Sequence, residues 1–106
     1  MMYMDQPRRI SKTDLRAPVC FRGRLAAHLF ADTEEELLSY AVGVLGAKPE
    51  WVQRREGRGG THFDLTGRML KRAMQDEGVR KLMMSEYEDL EVLWRLLGHT
   101  TGAPWK

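Results

Sequence analysis

At 106 residues and 12.3 kDa, with 42% hydrophobic and 30% charged residues, the chain has the size and composition of a single globular domain. These values exclude a fibrous, collagen-like or wholly disordered chain. Cys20 is the only cysteine, which excludes an internal disulfide and a cysteine-based zinc site. The longest nearly apolar stretch, 37–47, is too short for a membrane span, and 1–9 lacks the pattern of a secretory signal. We therefore expect a cytoplasmic domain.

The charged residues are distributed in blocks, although the formal net charge is only +2. Counting bases and acids gives +4 over residues 1–30, −4 over 31–50, +4 over 51–72 and −2 over the remainder. A protein that binds a long duplex needs a continuous positive surface, so this pattern does not favour one. Two interpretations stay open: an ordinary solvated surface, or basic stretches that meet in the folded chain.

The clearest predicted helix covers about 33–45. Thr33 and Glu36 have the spacing of a capping box, and acidic residues follow the predicted start, where the helix dipole favours them. Apolar residues then recur at three- and four-residue spacing. Gly46 suits the end of the helix, and Pro49 prevents its continuation.

Two further helices are predicted nearer the carboxyl terminus. The second follows 64–66, whose polar side chains could cap it, and ends near Gly78. Ser85 and Glu88 repeat the capping-box spacing before the third helix, which ends at Gly98. The apolar face of this third helix is expected to pack in the core or against another subunit; its residues are Leu90, Trp94 and Leu97.

Short apolar stretches predict four strands, at 1–4, 24–30, 51–53 and 79–84, although the last stretch could equally be helical. Together with the helices they predict an α/β (α+β) fold, a short mixed sheet covered by two to three helices, in a single domain over 1–98. The segment 8–23 is predicted as a long surface insertion, and 99–106 as a loose tail.

His62 and Asp64 are the main candidates for a polar ligand-binding site. Residues two apart on an extended segment project from the same side, so both side chains could share one site. They suit a divalent metal ion, or a general base with its orienting partner. The purely structural alternative is that Asp64 caps the second helix beside Thr66. A wider predicted metal set adds His28 and Asp32, although His28 could equally be a half-buried histidine with one satisfied nitrogen.

A basic, glycine-rich segment precedes His62 and is a candidate phosphate-binding loop. Glycines let backbone amides approach a phosphate, and Arg54, Arg55 and Arg58 could bind it through their guanidinium groups. The segment has neither a Walker sequence nor a dinucleotide fingerprint. A solvated connector is the alternative. Trp51 could stack on a base, or pack in the core.

The chain resembles a family of small bacterial and phage proteins classed as a domain of unknown function, with a His-Tyr-Asp-Ile/Leu-Thr type motif. The matching stretches are 2–5, 28–37, 51–53 and 61–66, followed by Arg72, Ala73 and Gly78. Phe63 stands where the motif has tyrosine, so any role of that hydroxyl is lost. The resemblance covers about 1–84 and leaves out 8–23 and the last helix. It implies no established activity, and phage occurrence favours an accessory or counter-defence role in a bacterial or phage-infected cell.

Two functions are predicted from these observations. The first is binding of a phosphorylated ligand, a nucleotide or nucleic acid, through the His/Asp site and the basic loop, with or without help from a divalent metal. The second is a non-catalytic interaction with a protein partner, which the chain would inhibit or adapt through its basic loop and last helix. An oligomer through the last helix is compatible with both.

Overall fold

The computed structural model describes residues 1–15, 19–53, 61–83 and 85–98. Within them lie five strands and three α-helices, a small α+β domain as predicted. The strands are β1 (Met2–Met4), β2 (Arg8–Arg9), β3 (Leu25–Ala31), β4 (Phe63–Leu65) and β5 (Val79–Lys81). The helices are α1 (Glu34–Gly43), α2 (Gly67–Gln75) and α3 (Tyr87–Gly98), and short 3₁₀ turns occupy Val19–Phe21 and Pro49–Trp51.

The longest strand, β3, is the centre of a mixed sheet. It pairs antiparallel with β1 and β2, which follow one another along the chain, and antiparallel with β4. Leu29 is opposite both Met4 and Phe63, so β1 and β4 lie on opposite edges of β3. The parallel strand β5 extends the sheet beyond β1. Residues on β3 therefore have neighbours from both sides.

A one-residue bulge separates β1 from β2. Between the pairs Met4–Leu29 and Arg8–Ala26, three residues on one strand oppose two on β3. Such a bulge reverses which side of the sheet the following residues face. It contains Pro7, which cannot donate a backbone hydrogen bond and is therefore compatible with an unpaired position.

The two faces of the sheet are covered differently. Helices α1 and α2 pack on one face, where they bury the larger core; its members are Met2, Met4, Ala27, Leu29, Leu37, Ala41, Ala47, Phe63, Leu65, Leu70, Ala73 and Val79. Helix α3 packs on the other face through Leu93, against Tyr3, Phe30 and Leu82. His28 alternates with Leu29 along β3, so it points to the α3 side of the sheet.

The predicted helices are confirmed, with small differences at their starts. Thr33 caps α1, because its side chain accepts a hydrogen bond from the backbone N–H of Glu36 at 3.2 Å. Thr66 is the N-cap residue of α2 but makes no side-chain capping bond. Helix α3 begins at Tyr87, two residues beyond the Ser85 cap that the sequence pattern predicts.

Three predictions about the strands need correction. The predicted strand at 51–53 is a 3₁₀ turn over Pro49–Trp51, followed by an isolated bridge between Gln53 and His62. The expected insertion at 8–23 begins with an edge strand, β2, because its backbone pairs with β3. Strand β4 lies outside the predicted strands, because the sequence pattern assigns 64–66 to the start of the second helix.

No described helix is long and apolar enough to cross a bilayer. The predicted tail at 99–106 lies outside the described residues, as do the side chains of Trp94 and Leu97. The packing predicted for those two side chains therefore stays a prediction.

A polar contact joins α1 to the turn that follows α2. The Tyr40 hydroxyl donates to one carboxylate oxygen of Asp76 at 2.7 Å, and the backbone N–H of Gly78 donates to the other at 2.8 Å. The pKa of Asp76 is lowered, first by the bond from Tyr40 and then by the bond from Gly78. The negative form of Asp76 is therefore the one that the fold favours.

Replacing Asp76 with Asn should remove an acid-sensitive part of the stability. The folded-state pKa of Asp76 is depressed, so its contribution is present above the unfolded aspartate value of about 3.9 and is lost as the pH falls through the folded-state value. Urea melts from about pH 7 to about pH 2 should show the wild-type advantage over Asp76→Asn shrinking below roughly pH 4. An advantage that is constant over this range would contradict the assignment.

Candidate functional site

Three polar side chains lie in a row across the sheet, one from each of three neighbouring segments. His28 on β3 is directly opposite Asp64 on β4, and Asp5, just beyond β1, lies against His28 from the other edge. Directly opposed residues of antiparallel strands project to the same side. The row Asp5, His28 and Asp64 therefore stands on one face of the sheet, the face that α3 covers in part.

His62 joins this row from the start of β4. It lies two residues before Asp64 on extended backbone, and the bridge with Gln53 holds it through two hydrogen bonds of 2.8 and 3.0 Å. Its Nε2 atom is 3.5 Å from Asp64 Oδ1, and the Nε2 atom of His28 is 3.6 Å from the same oxygen. The prediction that His62 and Asp64 project from one side is confirmed, and the pairing of β3 with β4 adds His28. We call His28, His62 and Asp64 the triad.

Asp5 holds His28 at two points. One carboxylate oxygen accepts a hydrogen bond from the backbone N–H of His28 at 2.6 Å, and the other contacts the ring Nδ1, also at 2.6 Å. A carboxylate accepts hydrogen bonds, so the proton of this contact belongs to Nδ1. In a neutral imidazole the lone pair is then on Nε2, the atom that faces Asp64 and His62.

The two carboxylates favour a positive charge at His28. Burial of the ring acts to lower the pKa of His28, but the hydrogen bond and charge of Asp5, together with the charge of Asp64, outweigh it. The pKa of His28 is therefore raised above its usual value. A metal ion at the triad would compete with a proton for the ring nitrogen of His28.

Aromatic packing fixes the two imidazoles. The rings of His28 and His62 meet edge to face with their centroids 5.0 Å apart, and Phe30 lies 5.9 Å and 6.0 Å from them. Phe30 is fully buried beneath α3, so the histidines share a wall with the smaller core. The triad therefore rests on packed structure rather than on a loop.

The triad is partly buried: the side chain of His62 is enclosed, whereas the other two side chains are partly exposed. The side chain of His62 is only 5% exposed, whereas those of His28 and Asp64 are 35% and 26% exposed. A cleft of about 530 Å³ lies farther along the same strand and is lined by Asp32, Thr33 and Arg95, but not by the triad.

The triad has the spacing of a metal site. His28, His62 and Asp64 each offer one ligand atom, and these atoms lie within 4.8 Å of one another. A tetrahedral ion bound at about 2.0–2.1 Å keeps its ligands roughly 3.4 Å apart, close to the separations of 3.5 and 3.6 Å from Asp64 to the two imidazoles. A histidine ligand commonly donates its second N–H to a carboxylate, as His28 does to Asp5.

The interpretation of Asp64 as the residue that caps the second helix is wrong. Asp64 lies inside β4 opposite His28, and Thr66 occupies the N-cap position of α2. For His28, the sequence leaves two interpretations, a half-buried histidine with one satisfied nitrogen or a metal ligand, and the structure is compatible with both. It is half-buried with Nδ1 satisfied by Asp5, yet Nε2 faces the other two triad residues.

Asp32 does not join the triad, contrary to the wider predicted set. It lies four residues from His28 along β3 and just past its end, roughly 13 Å away at strand rise. Its carboxylate instead accepts a hydrogen bond from Tyr3 at 3.1 Å and is 3.8 Å from the guanidinium of Arg95.

Trp51 is not a core residue: it is 47% exposed and carries the Lys48 ammonium 5.8 Å from its ring centroid. Its predicted stacking on a base stays a prediction. Arg54, Arg55 and Arg58 lie outside the described residues, so their predicted contact with phosphate also stays a prediction.

Two residues near the triad are not among the predicted ligand-binding or metal-binding residues. Asp5 had a detectable signal, since it is an acidic residue directly after a predicted strand. Arg8 had none, because its position depends on the bulge between β1 and β2, which brings its charge close enough to act on His28.

The comparisons with known proteins give one family. The model of a family described as a protein of unknown function, DUF4031, matches residues 14–91. This confirms the predicted kind of family but moves its limits, because the match starts within the expected insertion and runs into α3. No curated protein and no solved structure matches the chain.

Neutralising Asp5 should lower the pKa of His28. In metal-free protein, Asp5→Asn removes the negative charge that most strongly raises this pKa, while burial of the ring continues to lower it. An NMR titration of the His28 ring protons should show midpoints shifted to lower pH. The matched control is Asp32→Asn, which removes a carboxylate from the far end of the same strand and should leave His28 unchanged. Equal shifts in both variants would refute the specific role of Asp5.

Proposed function

The chain belongs to the DUF4031 family, and we propose that it binds a divalent metal ion through His28, His62 and Asp64 and, at that ion, a phosphorylated ligand. The observation that carries the proposal is the convergence of two imidazole Nε2 atoms on one oxygen of Asp64. Three different backbone pairings produce this convergence: β3 with β4, Gln53 with His62, and Asp5 with His28.

The donor set favours a transition metal such as Zn²⁺ over Mg²⁺ or Ca²⁺. Imidazole nitrogen suits zinc and its neighbours, whereas Mg²⁺ and Ca²⁺ prefer shells made wholly of oxygen. Three protein ligands leave at least one coordination position for water or a ligand atom. A zinc ion held in this way polarises a bound oxygen and lowers the pKa of bound water, which is the chemistry of phosphoester hydrolysis.

A phosphorylated ligand fits both the ion and the sequence around the triad. Phosphate oxygens are anionic and coordinate divalent ions, and the 51–72 block that contains His62 and Asp64 carries a net charge of +4. Within that block, Arg54, Arg55 and Arg58 are proposed to contact the same ligand. A nucleotide or the end of a nucleic acid has the matching chemistry.

The metal part is tested by titrating apo protein with Zn²⁺ and Co²⁺. Wild type should bind one equivalent of either ion, and at a hundredfold excess over Kd the free energy of unfolding should rise by about 2.7 kcal/mol. Visible spectra of the Co²⁺ form should show mixed nitrogen and oxygen coordination. Asp64→Asn and His62→Gln should each weaken binding by more than about tenfold, since each removes a ligand.

The control for this titration is Asp32→Asn. This variant removes a carboxylate that the sequence alone places in the metal set but that the structure places beside Tyr3 and Arg95. It should bind Zn²⁺ as wild type does. If wild type binds no metal, or if all the variants bind equally, the proposed site is refuted.

A further inference from the structure

Arg8 stands on the same face of the sheet as the triad. It pairs directly with Ala26, which is two residues from His28 on β3 and therefore faces the same way. Without the extra residue of the bulge, the side chains of β2 would be reversed and Arg8 would point to the α2 side. The bulge therefore places the guanidinium of Arg8 on the face of the sheet that carries the triad.

The position of Arg8 is within reach of the triad. His28 is its diagonal neighbour across the strand pair, and such neighbours are about 7–8 Å apart at the backbone, a gap that an arginine side chain spans.

The two arginines of β2 are engaged differently. Arg9, on the opposite side of the strand, donates a hydrogen bond to the backbone oxygen of Gly23 at 2.6 Å. Arg8 is exposed, and within the described residues no hydrogen bond or ion pair holds its guanidinium. Arg8 is therefore available to an external anion at the edge of the metal site.

We propose that Arg8 is the anion-binding residue of this site and that it selects ligands with a phosphate group. This inference rests on the proposed function, since the metal ion and Arg8 would hold one phosphate between them. A metal ion beside an exposed guanidinium is a repulsive arrangement unless an anion lies between the two. The planar guanidinium suits two oxygens of a phosphate, and the ion coordinates a third.

The test uses Co²⁺-loaded full-length protein titrated with inorganic phosphate, with Arg8→Ala and the matched control Arg9→Ala. Both variants remove one exposed positive charge from the same two-residue strand, but from opposite faces. We expect Arg8→Ala to weaken phosphate binding by at least about tenfold, and Arg9→Ala to bind as wild type does. Arg8→Lys should recover only part of the phosphate affinity, because lysine keeps the positive charge but lacks the planar guanidinium that donates two parallel hydrogen bonds.

Separate titrations with Co²⁺ distinguish this proposal from the one it rests on. Arg8→Ala should bind Co²⁺ at least as tightly as wild type, because a nearby positive charge is removed. If wild type binds Co²⁺ but phosphate binds Arg8→Ala as tightly as wild type, or binds none of these proteins, the role of Arg8 is refuted while the metal site stands. If Arg8→Ala and Arg9→Ala lose phosphate affinity equally, the effect comes from net charge alone, and the specific role of Arg8 is also refuted. Failure of wild type to bind Co²⁺ would refute the metal site itself.

Discussion

The pairing of β3 on both of its edges is the constraint on which the site depends. Asp5 reaches His28 from one edge and Asp64 reaches it from the other, so the position of each carboxylate is set by backbone hydrogen bonds. A slip of one residue in either pairing would turn a carboxylate to the opposite face, into the core under α1 and α2. The apolar residues that alternate with His28 on β3 prevent that slip, because they are the ones that pack in the larger core. Core packing and site geometry are consequences of the same register.

The site also needs its charges to balance. Two carboxylates on either side of one imidazole repel each other, and each loses hydration on a face that is partly covered. Burial of the ring acts to lower the pKa of His28, but this pKa is raised because the hydrogen bond and charge of Asp5 and the charge of Asp64 together outweigh the burial. In the proposed site, a bound metal ion would balance the same two carboxylates. Phe30 packs beside both imidazoles, with ring centroids 5.9 Å from His28 and 6.0 Å from His62.

The sequence predicts the parts of this structure that depend on local signals. The capping residue Thr33 and the apolar periodicity after it locate α1, and the short apolar segments at 1–4 and 24–30 locate β1 and β3. The segment 79–84, where the sequence allows a strand or a helix, contains β5. The His-x-Asp spacing correctly places His62 and Asp64 on one side. Each of these inferences uses residues within a few positions of one another.

The parts that the sequence could not predict depend on distant pairing. Whether His28 or Asp32 meets Asp64 is decided by the register between β3 and β4, which involves residues more than 30 positions apart. Both candidates are polar residues near the end of one predicted strand, so composition does not separate them. The cap interpretation of Asp64 was wrong because β4 is only three residues long and ends at Leu65, immediately before the Thr66 cap.

The family match includes some residues of the site and excludes others. It covers residues 14–91 and therefore contains the whole triad, whereas Asp5 and Arg8 precede it. The residues that would hold the ion thus lie within the family region, whereas Asp5, which contacts His28, and Arg8, which is proposed to bind the anion, lie on the segment formed by β1, the bulge and β2. That segment is joined to the rest by strand pairing, and the bulge contains Asp5 as well as leading to Arg8, so changes there that displace Asp5 would also disturb His28. In the proposed site, metal binding would depend on both edges of β3, because Asp5 holds His28, whereas anion selection would depend on the edge that carries Arg8.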